Sequence, residues 1–175
     1  IKVEGSNETK WVLIQSLNPG GANGGSGTQY FIGDFDGTTF TLDSNFAKRV
    51  EQEKAVWIDY GKDNYAGVTW NNVPNADGRR LFIGWMSNWD YAQEVPTNAW
   101  RSSTTIAREI KLVKKGNAYS LISNPVKEIN KYISKTIKEK SLKGKGKLDL
   151  VTAGKIDLTK AIVNFDLKNQ TRLNT

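Results

Sequence analysis

Cysteine and histidine are both missing from the 175 residues of this chain. Without cysteine there is no disulfide framework and no thiolate metal site. Without histidine the commonest general base and zinc ligand is gone, so acid–base work falls to carboxylates. Long apolar runs are absent as well: nothing approaches the roughly 20 residues needed to span a bilayer. The first residues also lack the basic-then-apolar layout of a secretion signal. No membrane insertion and no metal site is expected.

What is present is unevenly placed. The net charge of +7 divides into 9 Lys+Arg against 12 Asp+Glu over residues 1–107 and 16 against 6 over residues 108–175. Aromatics run the other way. All six tryptophans lie at or before Trp100, and only Tyr119, Tyr132 and Phe165 follow residue 107. Two structural units are expected, with the change of character between Leu112 and Lys143. The lysines from Lys111 to Lys147 lack the interleaved aromatics that single-stranded nucleic acid recognition uses, so they read as a solvated basic face and no nucleic acid partner is expected.

Short alternating runs punctuated by turn residues dominate the first part. Trp11–Leu17 reads as a buried strand and Asn18–Gly27 as a flexible glycine-rich loop. Gln29–Phe35 follows, Asp36-Gly37 makes a hairpin turn, and Thr38–Leu42 returns. The pattern recurs with Tyr65–Trp70, the turn residues Asn71–Gly78, the strand Arg80–Trp85 and an alternating segment Thr104–Leu112. A unit of several antiparallel strands thus occurs about twice, as in propeller blades. Ile129, Ile133 and Ile137 recur every four residues, which suits a helix, whereas the alternation in Lys131–Ile137 suits a strand; the residues alone leave both open. Leu142–Val151, Ile156–Leu158 and Ala161–Leu167 read as further strands.

Function points to Asp59–Arg108, where aromatics, acids and amides are denser than a core requires. Indole and phenol faces stack on the apolar faces of sugar rings, while Asp, Asn, Gln and Arg supply the directional hydrogen bonds that hydroxyls need. The glycines of Asn18–Gly27 are not a phosphate cradle, because no Gly-Lys-Ser/Thr follows them.

The segments WVLIQSLNPGG, GSGTQYFIGDFDG, DYGKDNYAG, RRLFIGWMSNWDYAQEVPTNAWRSS and TIAREIKL resemble, in order and spacing, the later part of glycoside hydrolase family 32, the invertases, inulinases and levanases. The resemblance implies an all-β fold: a partial five-bladed β-propeller, about its last two blades over residues 1–125, leading through a linker into the first strands of a β-sandwich over residues 126–175. It implies a parent enzyme that hydrolyses terminal β-fructosyl linkages of fructans or sucrose with retention and acts in a secreted, periplasmic or cell-surface location. Retention needs two carboxyl groups about 5 to 5.5 Å apart and no metal or organic cofactor. The family's nucleophile, transition-state-stabilising and acid motifs do not occur in this chain, so no catalytic residue is expected and the chain alone should be inactive. Glu4 is read as a loop glutamate rather than a replacement acid.

For binding, the resemblance places Asp59, Lys62 and Asp63 at the rim of the sugar pocket and Trp100 in its wall, with Trp89 and Asn88 as further contacts. Tyr65 and Trp85 read as packing, and Arg108 with Glu109 as structural ion-pair formers. Blade flanks left open should be covered by the rest of the parent chain or by a second copy. The competing reading is a non-catalytic carbohydrate-binding module that uses the tryptophan-rich loops as a platform.

Overall fold

A computed structural model describes residues 1–136, and the strands expected at 142–151, 156–158 and 161–167 lie outside the described residues. The chain divides into two units, Ile1–Ile129 and Asn130–Thr175. The first contains two antiparallel meanders. One is a three-stranded sheet of β1 (Trp11–Leu17), β2 (Gly27–Phe35) and β3 (Phe40–Leu42), in that order. The other is a four-stranded sheet of β4 (Tyr65–Thr69), β5 (Arg80–Trp85), β6 (Arg108–Lys115) and β7 (Ala118–Pro125), again in chain order. Among the described residues no helix is long and apolar enough to cross a membrane.

The strand expected at Trp11–Leu17 forms over those residues but is not buried: it lies at the edge of its sheet, with Trp11 and Leu13 exposed. Pairing with β2 sets Val12 and Ile14 opposite Ile32 and Tyr30, packed against the core, and leaves Trp11 and Leu13 exposed. Alternation has period two, so a strand apolar at both parities has two apolar faces, and here only one is covered. Asp36 closes the β2–β3 turn by accepting from the Thr38 and Thr39 amides at 2.8 and 2.7 Å.

Two elements carried no expectation in the sequence. Helix α1 (Ser44–Glu53) opens on Asp43, whose carboxylate accepts from the Asn45 and Phe46 amides, the N-cap arrangement that satisfies otherwise orphaned donors. It buries Phe46 against Tyr30, with ring centroids 5.5 Å apart. Arg49 on α1 donates to Tyr30 Oη on β2 and to Ser120 Oγ on β7, both at 3.3 Å, so the helix fastens the two sheets together. Strand β7 pairs with β6 along its whole length. A 3-10 turn, Lys127–Tyr132, then takes in Ile129, while Ile133 is in neither helix nor strand and Ile137 lies outside the described residues.

The core joins Tyr30 and Ile32 of β2, Phe82 of β5, Ile110 and Leu112 of β6, Tyr119 of β7, Phe46 of α1 and Val3, Val56 and Ile58 from connecting segments. Phe82 is completely buried under Gly67: a Cβ there would stand 2.1 Å from the ring, so only glycine admits this approach. The β4–β5 register shifts between Tyr65 and Val68, where Ala66 takes a positive φ of 49°.

Candidate functional site

The β1–β2 loop, the entry into β4 and the exit from β5 lie at one end of their sheets, which brings three chemically rich segments together. The long connection between β5 and β6 is pinched at its base, where Trp85 bridges Thr104, Met86 N–H donates to the Ser103 carbonyl and Thr105 N–H to the Gly84 carbonyl, both at 2.8 Å. Trp89 and Trp100 therefore belong to one closed excursion of the chain. The segment expected as a strand from Thr104 makes this isolated bridge first and becomes regular only at Arg108.

Asn88 is wholly buried at the centre of the assembly. Its Oδ1 accepts from the Ser26 amide at 3.1 Å and the Asp90 amide at 3.0 Å. Its Nδ2 donates to the carbonyls of Gly24, Ser26 and Lys62 at 3.1, 3.3 and 2.9 Å. One side chain thus ties the glycine loop, the entry to β4 and the β5 exit. Gly25, at φ 57°, makes room for it: a Cβ there would fall 1.9 Å from Asn88 Oδ1. Ser26 Oγ adds a bond from the Trp89 amide at 3.1 Å. The glycine-rich loop is consequently pinned rather than flexible, because its positive-φ positions serve a fixed set of hydrogen bonds.

The carboxylates expected at the rim each have a partner. Asp59 pairs with Arg108 Nη2 at 2.6 Å and also accepts from the Gly61 amide at 2.6 Å and Asn64 Nδ2 at 3.3 Å. Arg108 is thus an ion-pair former with Asp59, whereas Glu109 lies 3.7 Å from Lys111. Lys62 Nζ reaches Asp90 at 3.0 Å and the Asn23 carbonyl at 3.1 Å. Asp63 accepts a hydrogen bond from the Tyr91 hydroxyl. Burial, and then that bond to a carboxylate, push the Tyr91 phenol up to about 12, so it remains a donor through the ordinary pH range. Tyr91, Asp90 and Arg108 are the partners that the sequence did not assign to these roles.

Trp89 and Trp100 are exposed, at 49% and 60%. Trp89 stacks obliquely on Trp85, with centroids 5.0 Å apart and planes at 53°, and Tyr65 meets the same Trp85 edge-on at 6.1 Å. Trp85, read as packing, is half-buried and shares with Trp89, Ala92, Gln93, Arg101 and Ser102 a cleft of about 330 Å³. Arg101, next to Trp100, is held by the Gln93 and Val95 carbonyls at 2.8 and 3.4 Å. A larger groove of about 720 Å³ shares no residue with these loops, and charges on its walls satisfy one another, as in Glu4–Lys111 at 3.1 Å. No group of acids that could hold a metal ion occurs among the described residues.

The site therefore offers aromatic faces, paired carboxylates and amide or guanidinium donors. Such groups can stack on the apolar face of a hydroxylated ring and hydrogen-bond its oxygens.

The family model described as Glycosyl hydrolases family 32 N-terminal domain matches residues 1–125. A levanase from Bacillus subtilis strain 168 is 47% identical over 130 residues, which cover 74% of this chain and 18% of that protein. An extracellular exo-inulinase from Aspergillus niger is 42% identical over 127 residues, 71% of this chain and 23% of that one. Among solved structures, exo-inulinase from Aspergillus awamori superposes with a TM-score of 0.61 at 39% identity, covering 71% of this chain and 24% of the other. A fructofuranosidase from Schwanniomyces occidentalis complexed with fructose gives 0.59 at 40% identity, covering 72% and 24%. The chain spans about a fifth to a quarter of the length of these relatives.

Proposed function

The chain belongs to glycosyl hydrolase family 32, and from that footing we propose that it carries sugar-facing loops of a β-fructofuranosidase that cleaves terminal β-fructosyl linkages of fructans or sucrose. The observation that carries this reading is the convergence of Asp59, Lys62, Asp63, Asn88 and Trp89 around one loop assembly in a segment that matches the family over 125 residues. Asp63 and Trp100 face the terminal fructosyl unit, the first accepting from its hydroxyls and the second walling its ring. Lys62 donates at the rim. Asn88 and Asp59 hold the loops in place, since their polar atoms are engaged with protein groups.

Hydrolysis in this reading is exo-acting and retaining. It requires a carboxylate nucleophile and a carboxylic acid about 5 to 5.5 Å apart. Neither comes from this chain, which lacks the family's nucleophile and acid motifs, so the 175 residues alone do not turn over substrate. They form about the last two blades of a propeller and work as part of a larger polypeptide, as their coverage of 18 to 24% of the relatives supports. The rest of that polypeptide, or a second copy, covers β1 and its outward apolar face. Relatives named extracellular support a secreted, periplasmic or cell-surface location.

Two assays test the proposal. The isolated chain should release no fructose from sucrose, inulin or levan. A hybrid in which residues 1–125 replace the matching segment of the Bacillus subtilis levanase should hydrolyse levan. A folded hybrid without fructosidase activity would count against the enzyme reading, and fructan binding by the isolated chain with an inert hybrid would favour the carbohydrate-binding module.

A further inference from the structure

Asp63 is held differently from Asp59, the other acid expected at the rim. Both oxygens of Asp59 are taken, Oδ1 by the Gly61 amide and Oδ2 by Arg108 and Asn64. Asp63 is half-buried and gives only Oδ1 to the protein, as acceptor from the Tyr91 hydroxyl. Its Oδ2 has no protein partner among the described residues. The last torsion of an aspartate side chain is broad, so a carboxylate has no fixed direction of its own. Holding one oxygen gives the other a defined direction in which to accept.

Tyr91 is itself fixed. Its amide donates to the Asn88 carbonyl at 3.1 Å, the Ala92 amide donates to the same carbonyl at 2.9 Å, and the Tyr91 carbonyl accepts from the Glu94 amide at 2.8 Å. The buried Asn88 side chain in turn donates from Nδ2 to the carbonyl of Lys62, the residue before Asp63, at 2.9 Å. The turn at Asn88–Tyr91 therefore grips Asp63 twice, through the backbone in front of it and through its carboxylate. A tyrosine kept for its ring alone needs no such bond. The phenol, pushed up to about 12 by burial and then by Asp63, stays a donor at ordinary pH.

We propose that Tyr91 is a positioning residue: without touching the sugar, it orients the Asp63 carboxylate so that Oδ2 meets a hydroxyl of the terminal fructosyl unit. This rests on the reading that Asp63 faces that unit. The contact forms as the unit binds and is kept through the reaction, so losing its geometry raises KM more than it lowers kcat.

The test is steady-state kinetics on levan of the levanase hybrid and its variants, each checked for folding by thermal melting. Tyr91→Phe keeps the ring and removes only the donor; it should raise KM about tenfold and leave kcat within about threefold. Added to Asp63→Ala, the same change should alter kcat/KM by less than about twofold, because no carboxylate is left to orient. Should Tyr91→Phe not fold, Tyr91→Met, apolar and likewise without a donor, stands in for it. A folded variant whose KM stays within about threefold of the parent hybrid would overturn the proposal. So would an equal loss with and without Asp63, which a purely structural tyrosine would give. Either result leaves the fructosidase reading standing, whereas an inert parent hybrid would remove that reading and the positioning role with it.

Discussion

The two sheets differ in what completes them. The β4–β7 sheet is a full meander whose exit loop after β5 is fastened by buried polar bonds, some of them to the β1–β2 loop of the other sheet: Asn88 alone makes five, to three separate stretches of chain. The β1–β3 sheet has a free edge at β1 and leaves Trp11, Leu13, Phe35 and Leu42 exposed. Precision sits in the first, where loops must hold a fixed shape. Adhesion sits in the second, where unpaired backbone groups and an apolar face await a neighbour. A loop assembly can thus be fixed by buried polar bonds while the outer face of a neighbouring strand stays exposed.

Asn88→Ala should break the contrast most severely. It strands buried donors and acceptors on three loops, and unsatisfied buried groups cost about 1 to 3 kcal/mol each before relaxation. A net loss of about 3 kcal/mol, read as a fall in Tm of about 10 °C, is expected. Hydrogen exchange at the Ser26 and Asp90 amides should accelerate with it; unchanged protection there would mean that Asn88 is no latch.

Next comes Gly67→Ala, which drives a methyl group into the buried Phe82 ring at 2.1 Å. Overpacking of this kind costs about 1 to 3 kcal/mol. The loss should appear in denaturant unfolding without any change in the loop amides, which separates core from latch.

A smaller effect is expected from pH. The Tyr91 phenol is raised in the folded chain to about 12 from its ordinary 10, so its contribution is complete below pH 10 and fades as pH climbs from 10 to 12. Spectrophotometric titration should show one late-ionising tyrosine, and Tyr91→Phe or Asp63→Asn should remove it or return it toward 10. A late tyrosine that persists in Tyr91→Phe would contradict the assignment.

The smallest change in stability belongs to the open sheet. Trp11→Lys with Leu13→Lys alters exposed positions, so stability should move by no more than about 0.5 kcal/mol. Self-association measured by sedimentation should fall markedly. Persistent oligomers in that variant would show that the chain associates through some other surface.

Much of this was legible in the sequence, for reasons that can be stated. Trp11–Leu17 and Arg80–Trp85 formed over the residues expected because alternation was bounded by turn residues on both sides. The burial of β1 was misjudged because two apolar faces look the same in sequence whether or not a second layer is present. Helix α1 was missed because its apolar stripe is short, Phe46 and Val50 one turn apart; the other visible signal was Asp43 as a cap. Strand β7 was missed although Gly116, at φ 58°, marks the turn that leads into it. The family resemblance nominated Asp59, Lys62 and Asp63, but their partners Arg108, Asp90 and Tyr91 lie 49, 28 and 28 residues further along, where only tertiary structure could pair them.

The most direct test of the central claim is steady-state kinetics of the levanase hybrid carrying Asp63→Ala or Trp100→Ala. If these loops face the fructosyl unit, kcat/KM on levan should fall by at least a hundredfold for each, about 2.7 kcal/mol of lost transition-state stabilisation. Values within threefold of the parent hybrid would contradict it.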